Sequence, residues 1–140
     1  MRVLYGQVIV PRAVVDELEV GAVEGYAVPR CGHHPWMVIE TGPVPAILSL
    51  VTALGAGEAE ALALALAVPT DLVLLDDRLA RQVAGTLGLR LSGTLGVLLE
   101  AKRTGLVSEV KPLLVRLQEL GFRVAPGLVA RIAGLAGEPI

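Results

Sequence analysis

The run DLVLLDDRLAR, residues 71–81, constrains the fold more than any other stretch of the chain. Val73, Leu74 and Leu75 form an apolar segment with nothing polar inside it, closed abruptly by Asp76 and Asp77. So short and continuous an apolar run reads as a strand buried on both faces, the kind found in parallel α/β sheets. Ligands of such sheets bind beyond the carboxyl ends of the strands. Two adjacent carboxylates therefore stand where chemistry usually sits. Consecutive strand residues point to opposite faces, so both cannot aim at one site. One of the pair is expected to cap the helix that starts near Leu79, and the sequence leaves open which.

The rest of the chain alternates strands with helices. QVIVP (7–11) is a short strand closed by Pro11, with a helix over 12–19 behind it. A loop rich in Gly, Pro and His follows, and WMVIE (36–40) is the second strand. AILSLVTAL (46–54) predicts a short helix, and EAEALALALAV (58–68) a longer one that Pro69 ends. The strand at 72–75 leads into RLARQVAGTLG, a helix stopped by Gly88. LRLSG is a further strand, TLGVLLEAKRTG and VKPLLVRLQELG are helices, FRVA is a last short strand, and GLVARIAGLAGE is a terminal helix. This alternation predicts a single α/β domain over residues 1–140 with a mainly parallel sheet.

Composition sets the outer limits. The chain is 54% hydrophobic with a mean hydropathy of +0.67, yet no apolar run reaches a membrane span of about 18 residues. The amino terminus lacks the pattern of a signal peptide, and the lone Cys31 allows no disulfide framework within the chain. A cytoplasmic protein with no membrane association is expected. The net charge of −2 argues against a surface coated for nucleic acid. Local basic residues nevertheless recur at Arg78, Arg81, Arg90, Lys102 and Arg103.

Acidic residues recur at element boundaries: Asp16 and Glu17 on the first helix, Glu58 and Glu60 opening another, Asp76 and Asp77 ending a strand. Carboxylates gathered at one point repel unless a cation neutralises them, and hard oxygen donors select Mg²⁺ or Mn²⁺. Such a cluster can activate water and stabilise a leaving oxygen in phosphodiester cleavage. Taken singly, each acid has a plainer account: Glu58 and Glu60 meet a helix dipole, and Asp16 or Glu17 lies on a solvated face. Arg78 and Arg81 are candidate contacts to RNA phosphate, although a helical Arg near acids is more often an ion pair. Thr94 is a candidate to orient a phosphate, or equally the N-cap of the helix TLGVLLEAK.

The segments GEAEALALALA, DLVLLDDRLARQVAGTLGLRLSGTLGVLLEAKRTGLV and LQELGFRVAPGLV closely resemble the PIN-domain superfamily. The resemblance is to a prokaryotic branch with the pattern GEAEA…LLDDRxAR…GTLGVLLEAK, and VIVPRAVVDEL matches that branch as well. It runs from about Leu4 to Glu138. It implies a three-layer α/β/α nuclease related to the toxin ribonucleases of toxin–antitoxin pairs. The implied cofactor is Mg²⁺ or Mn²⁺ on an acidic quartet. The implied partners are RNA, a small antitoxin protein and further copies of the chain. Carried over by position, Glu17 matches the second acid, Glu58 (with Glu60 as substitute) the third, and Asp76 or Asp77 the fourth.

The first acid of the pattern has no counterpart. In the family it ends a strand that precedes a helix and then the VIVP strand, some 15 to 20 residues by typical element lengths. That strand is normally central, so a sheet without it leaves apolar edges uncovered. A longer natural start, lost catalysis, or a strand from elsewhere would each account for this. The expected function is a metal-dependent ribonuclease, with a non-catalytic interaction or oligomerisation module as the alternative. An oligomer with an apolar interface is expected in either case.

Two further motifs carry less. GAGEAE follows a helix and sets Glu58 and Glu60 where a pyrophosphate would lie, which defeats a dinucleotide-binding reading. Cys31, His33 and His34 offer zinc ligands, but no second cluster completes a four-coordinate site. Trp36 is expected in the core, and with aromatics at 3% base stacking is not expected to dominate RNA binding.

Overall fold

A computed structural model describes residues 1–70 and 72–139; Asp71, which opens the DLVLL run, lies outside the described residues. The chain forms two compact units, Met1–Ser92 and Gly93–Ile140.

The first unit contains α1 (Arg2–Tyr5), β1 (Val8–Pro11), α2 (Arg12–Val23), β2 (Met37–Glu40), α3 (Ala46–Ser49), α4 (Ala56–Ala67), β3 (Val73–Leu74), α5 (Arg78–Thr86) and β4 (Leu91–Ser92). All pairings are parallel. Val8 to Pro11 align with Met37 to Glu40, and Val73 and Leu74 with Leu91 and Ser92. Parallel neighbours need a crossover between them, and α2 and α5 supply it. The expected parallel α/β fold is therefore present, but among the described residues the strands form two two-stranded sheets.

α4 ties these half-sheets together by packing against α2, β1, β3 and α5. Leu62 and Ala63 of α4 join Leu48, Val73, Leu75, Ala80 and Ala84 in the main core cluster. A second cluster, Val10, Val15 and Cys31, seals the β1–α2 side. Cys31 begins a single 3₁₀ turn, Cys31–His33, and is 5% exposed. Its thiol thus behaves as a small apolar core group. Trp36 is half-buried, its ring 5.6 Å from that of His34.

The turn from α5 into β4 depends on Gly88, which holds a left-handed φ of 72°. That conformation, cheap for glycine, lets the Leu89 amide bond back to the Ala84 carbonyl at 3.0 Å. The helix end is thereby closed as in a Schellman motif.

The second unit is helical: α6 (Thr94–Arg103), α7 (Lys111–Glu119) and α8 (Pro126–Leu135) enclose Val110, Leu114 and Ile132. Glu138 fixes it from the far end of the chain. Its carboxylate accepts the Val110 amide at 2.6 Å and the Lys111 amide at 2.9 Å, with the Lys102 ammonium 3.2 Å away. A carboxylate on the first amides of α7 meets both its unpaired donors and its dipole. Those two backbone donors, ahead of Lys102, hold the Glu138 carboxyl below its ordinary range.

The sequence misjudged some elements. Phe122 to Ala125 form no strand and lead directly into α8. Four residues of strand character need a neighbouring edge, and the described residues of this unit contain none. The helix expected over 46–54 stops at Ser49 and gives way to turns. The one-turn α1 was not anticipated, whereas α2 runs four residues beyond the expected 19.

Candidate functional site

A cavity of about 650 Å³ opens in the first unit. Its walls are β1, residues 72–75 around β3, and one face of α4 at Gly57, Glu58, Ala61, Leu64 and Ala65. Those α4 positions recur at helical spacing, which is why a single stripe of the helix faces the opening. Most of the lining is apolar. Its charged side chains are Glu17, Glu58 and Asp76, and no Lys, Arg or His is among the described residues that line it.

Local structure decides how each acid is presented. Glu17 lies on α2, two turns beyond the end of β1, and its Oε1 accepts the Gly57 amide at 3.0 Å. That bond anchors the carboxylate to the first turn of α4, whose early amides have no partner within the helix. Gly57 permits the approach: a Cβ there would sit 3.0 Å from both Glu17 oxygens and from Val14 Cγ2. Glu58 stands in the first turn of the same helix, where the dipole favours a negative charge.

The adjacent aspartates are separated by role. Asp77 is the N-cap of α5, its Oδ2 accepting the Ala80 amide at 2.8 Å. Asp76, one residue earlier, borders the cavity. This shows which of the two caps α5, and a local cap signal three residues long was the clue available. Glu60, the substitute for Glu58, has a different task. It is 5% exposed and accepts the Ala13 amide at 2.7 Å and the Gly42 amide at 3.0 Å, one oxygen each. Pro11 at the N-cap of α2 offers no side-chain acceptor, so Glu60 caps that helix from α4. A partner 47 positions away left no mark that sequence reasoning could use.

The remaining candidates divide. Arg81 turns back to donate from Nη1 to the Leu75 carbonyl at 2.8 Å, completing the end of the strand. Arg78 is exposed and has no hydrogen bond or ion pair to a described residue. Thr94 is the first residue of α6 in the second unit, and the N-cap there is Gly93.

Carboxylate oxygens suit Mg²⁺ or Mn²⁺. Chemistry alone is not convergence: among the described residues no group of three or more His, Cys, Asp or Glu side chains is disposed to hold a metal ion. Glu17, Glu58 and Asp76 share a cavity without forming a finished coordination centre.

No curated protein and no solved structure matches the chain. A family model described as a PIN domain matches residues 1–138, nearly the whole length. On that match, and with parallel strands and intervening helices in place, the chain belongs to the PIN-domain family.

Proposed function

We propose that this chain is a metal-dependent ribonuclease of the PIN type, acting as one domain over residues 1–140. The observation that carries the reading is the cavity whose charged lining is Glu17, Glu58 and Asp76, with no basic side chain among its described lining residues. A divalent cation, Mg²⁺ or Mn²⁺, would neutralise that charge and supply water activation for phosphodiester hydrolysis. Glu17, Glu58 and Asp76 are its proposed ligands. Asp77 is the nearest alternative, at the cost of its capping bond. Arg78 is the proposed phosphate contact. Thr94 is retained as a secondary one, while Arg81 supports the strand end.

Incubation of labelled RNA with the chain, with and without Mn²⁺, tests this. Metal-dependent cleavage abolished by Asp76→Asn and Glu17→Gln supports the proposal. Absence of cleavage together with unchanged thermal stability in Mn²⁺ defeats it. The second reading, a non-catalytic interaction module, is favoured by the lack of a converged three-ligand group among the described residues. It predicts that second outcome.

The proposed partners follow from membership of the family: RNA, a small antitoxin protein, and a second copy of the chain. Ile47 and Leu50, 71% and 79% exposed, support self-association through apolar surface. Light scattering at micromolar concentration should give a dimer or larger, and a monomer removes that part. No helix among the described residues is long and apolar enough to cross a membrane. The buried free thiol of Cys31 supports a cytoplasmic setting.

A further inference from the structure

The GAG triplet at residues 55–57 has no backbone reason to contain glycine. Gly55 is the N-cap of α4 with φ −66° and ψ 160°, and Gly57 lies inside the first turn. Neither has a positive φ, so an L side chain suits both backbones. Within a helix alanine is also the better former. Space, rather than backbone freedom, is what these two glycines provide.

Two carboxylates take that space. A Cβ at Gly55 would overlap Oε2 of Glu58. A Cβ at Gly57 would stand 3.0 Å from both oxygens of Glu17, whose Oε1 accepts the Gly57 amide at 3.0 Å. Val14 Cγ2 is equally near that Cβ. One acid from α2 and one from α4 itself are thus drawn onto a single first turn. Its unpaired amides and dipole offset their charge. Glu17 is exposed, where a glutamate ordinarily keeps its rotamer freedom. A backbone bond beside a missing Cβ fixes it instead.

We propose that Gly55 and Gly57 are positioning residues: Gly55 sets the place of the Glu58 carboxylate, and Gly57 that of Glu17. A side chain at either glycine displaces one acid and spares the other. The consequence for cation binding rests on the role proposed above for these acids, whereas the positioning itself is read in the metal-free chain. Groups that orient ligands without touching the metal typically change affinity by roughly 10–100-fold.

The test uses the full chain, isotope-labelled and free of metal, with Gly55→Ala and Gly57→Ala. In the parent, nuclear Overhauser contacts are expected from the Glu58 Cγ protons to residue 55 and from the Glu17 Cγ protons to the residue 57 amide. Gly57→Ala should lose the Glu17 contact and keep that of Glu58, and Gly55→Ala should do the reverse. General loosening of the helix start would weaken both contacts in each variant, and that result overturns the proposal. So does a contact retained by the variant meant to remove it. Calorimetric titration with Mn²⁺ should show an affinity lower by roughly tenfold or more in each variant. Unchanged affinity in a variant that has lost its contact overturns the proposal too. A parent chain that binds no Mn²⁺ defeats the metal reading alone, because the contacts still decide the positioning. If Gly57→Ala does not fold, it is combined with Glu17→Ala, which removes the crowding carboxylate. Recovery of the fold supports the proposal; continued unfolding would assign the glycine to packing against Val14 and overturn it.

Discussion

The Glu60 carboxylate reaches across 47 positions to hold the Ala13 amide at 2.7 Å, and with its other oxygen it holds Gly42. One buried side chain thereby starts α2, fixes the loop after β2 and anchors both to α4. Replacing it with leucine leaves two inward-facing donors without an acceptor. Glu60→Leu should cost about 2–6 kcal/mol, since each of the two unsatisfied groups costs roughly 1–3 kcal/mol. Urea unfolding measures it, and a loss below about 1 kcal/mol would mean water replaces the carboxylate.

Gly42 is constrained by the same arrangement. A Cβ there would stand 2.8 Å from Leu64 Cδ2, and Leu64 is itself buried. Gly42→Ala should destabilise by about 1–3 kcal/mol through overpacking. A neutral result in thermal unfolding would show that Leu64 can change rotamer freely.

Asp76 and Asp77 should separate cleanly on substitution. Asp77→Ala removes the α5 cap and should cost about 1 kcal/mol with little change in any response to Mn²⁺. Asp76→Asn should leave helix capping intact and weaken the Mn²⁺ response. Calorimetric titration paired with unfolding distinguishes them, and interchange of the two effects would reverse the assignment.

Arg78 and Arg81 invite the same comparison. Arg81→Ala removes the bond to the Leu75 carbonyl and should lower stability by about 1 kcal/mol. Arg78→Ala should leave stability unchanged while weakening RNA binding and flattening its salt dependence by about one unit of slope. Filter binding across a salt series reads this directly.

The second unit should be sensitive to acid through Glu138, whose carboxyl is held below its ordinary range. A depressed carboxylate contributes stability above its unfolded pKa and loses it as pH falls through the lower folded value. Glu138→Gln should therefore lower the melting temperature by a few degrees at pH 7. The difference from the parent chain should shrink below the usual glutamate range. A gap that stays constant down to pH 2 would contradict this account.

The sequence exposed whatever was written locally. Pro11, Gly55, Pro69 and Gly88 punctuate β1, α4 and α5, so those elements could be drawn within a few residues. The apolar DLVLL run likewise announced a parallel strand. What stayed hidden depends on distance along the chain. Nothing near Glu60 says that its partners are Ala13 and Gly42. Nothing near Phe122 says that no strand edge awaits it. The acids were legible as types and positions, and their division of labour was not. Asp77 caps, Glu60 braces, and Glu17 leans on Gly57, each decided by backbone amides that folding delivers.

Cys31, packed with Val10 and Val15, is the chain's one sulfhydryl. An alkylating reagent can reach that sulfur after the β1–α2 side of the first unit has parted. The rate of labelling under native conditions is thus a clock for local opening, built in at a single atom and needing no engineered probe. Comparing it with the global unfolding rate would reveal whether the cavity beside β1 breathes alone or with the entire unit.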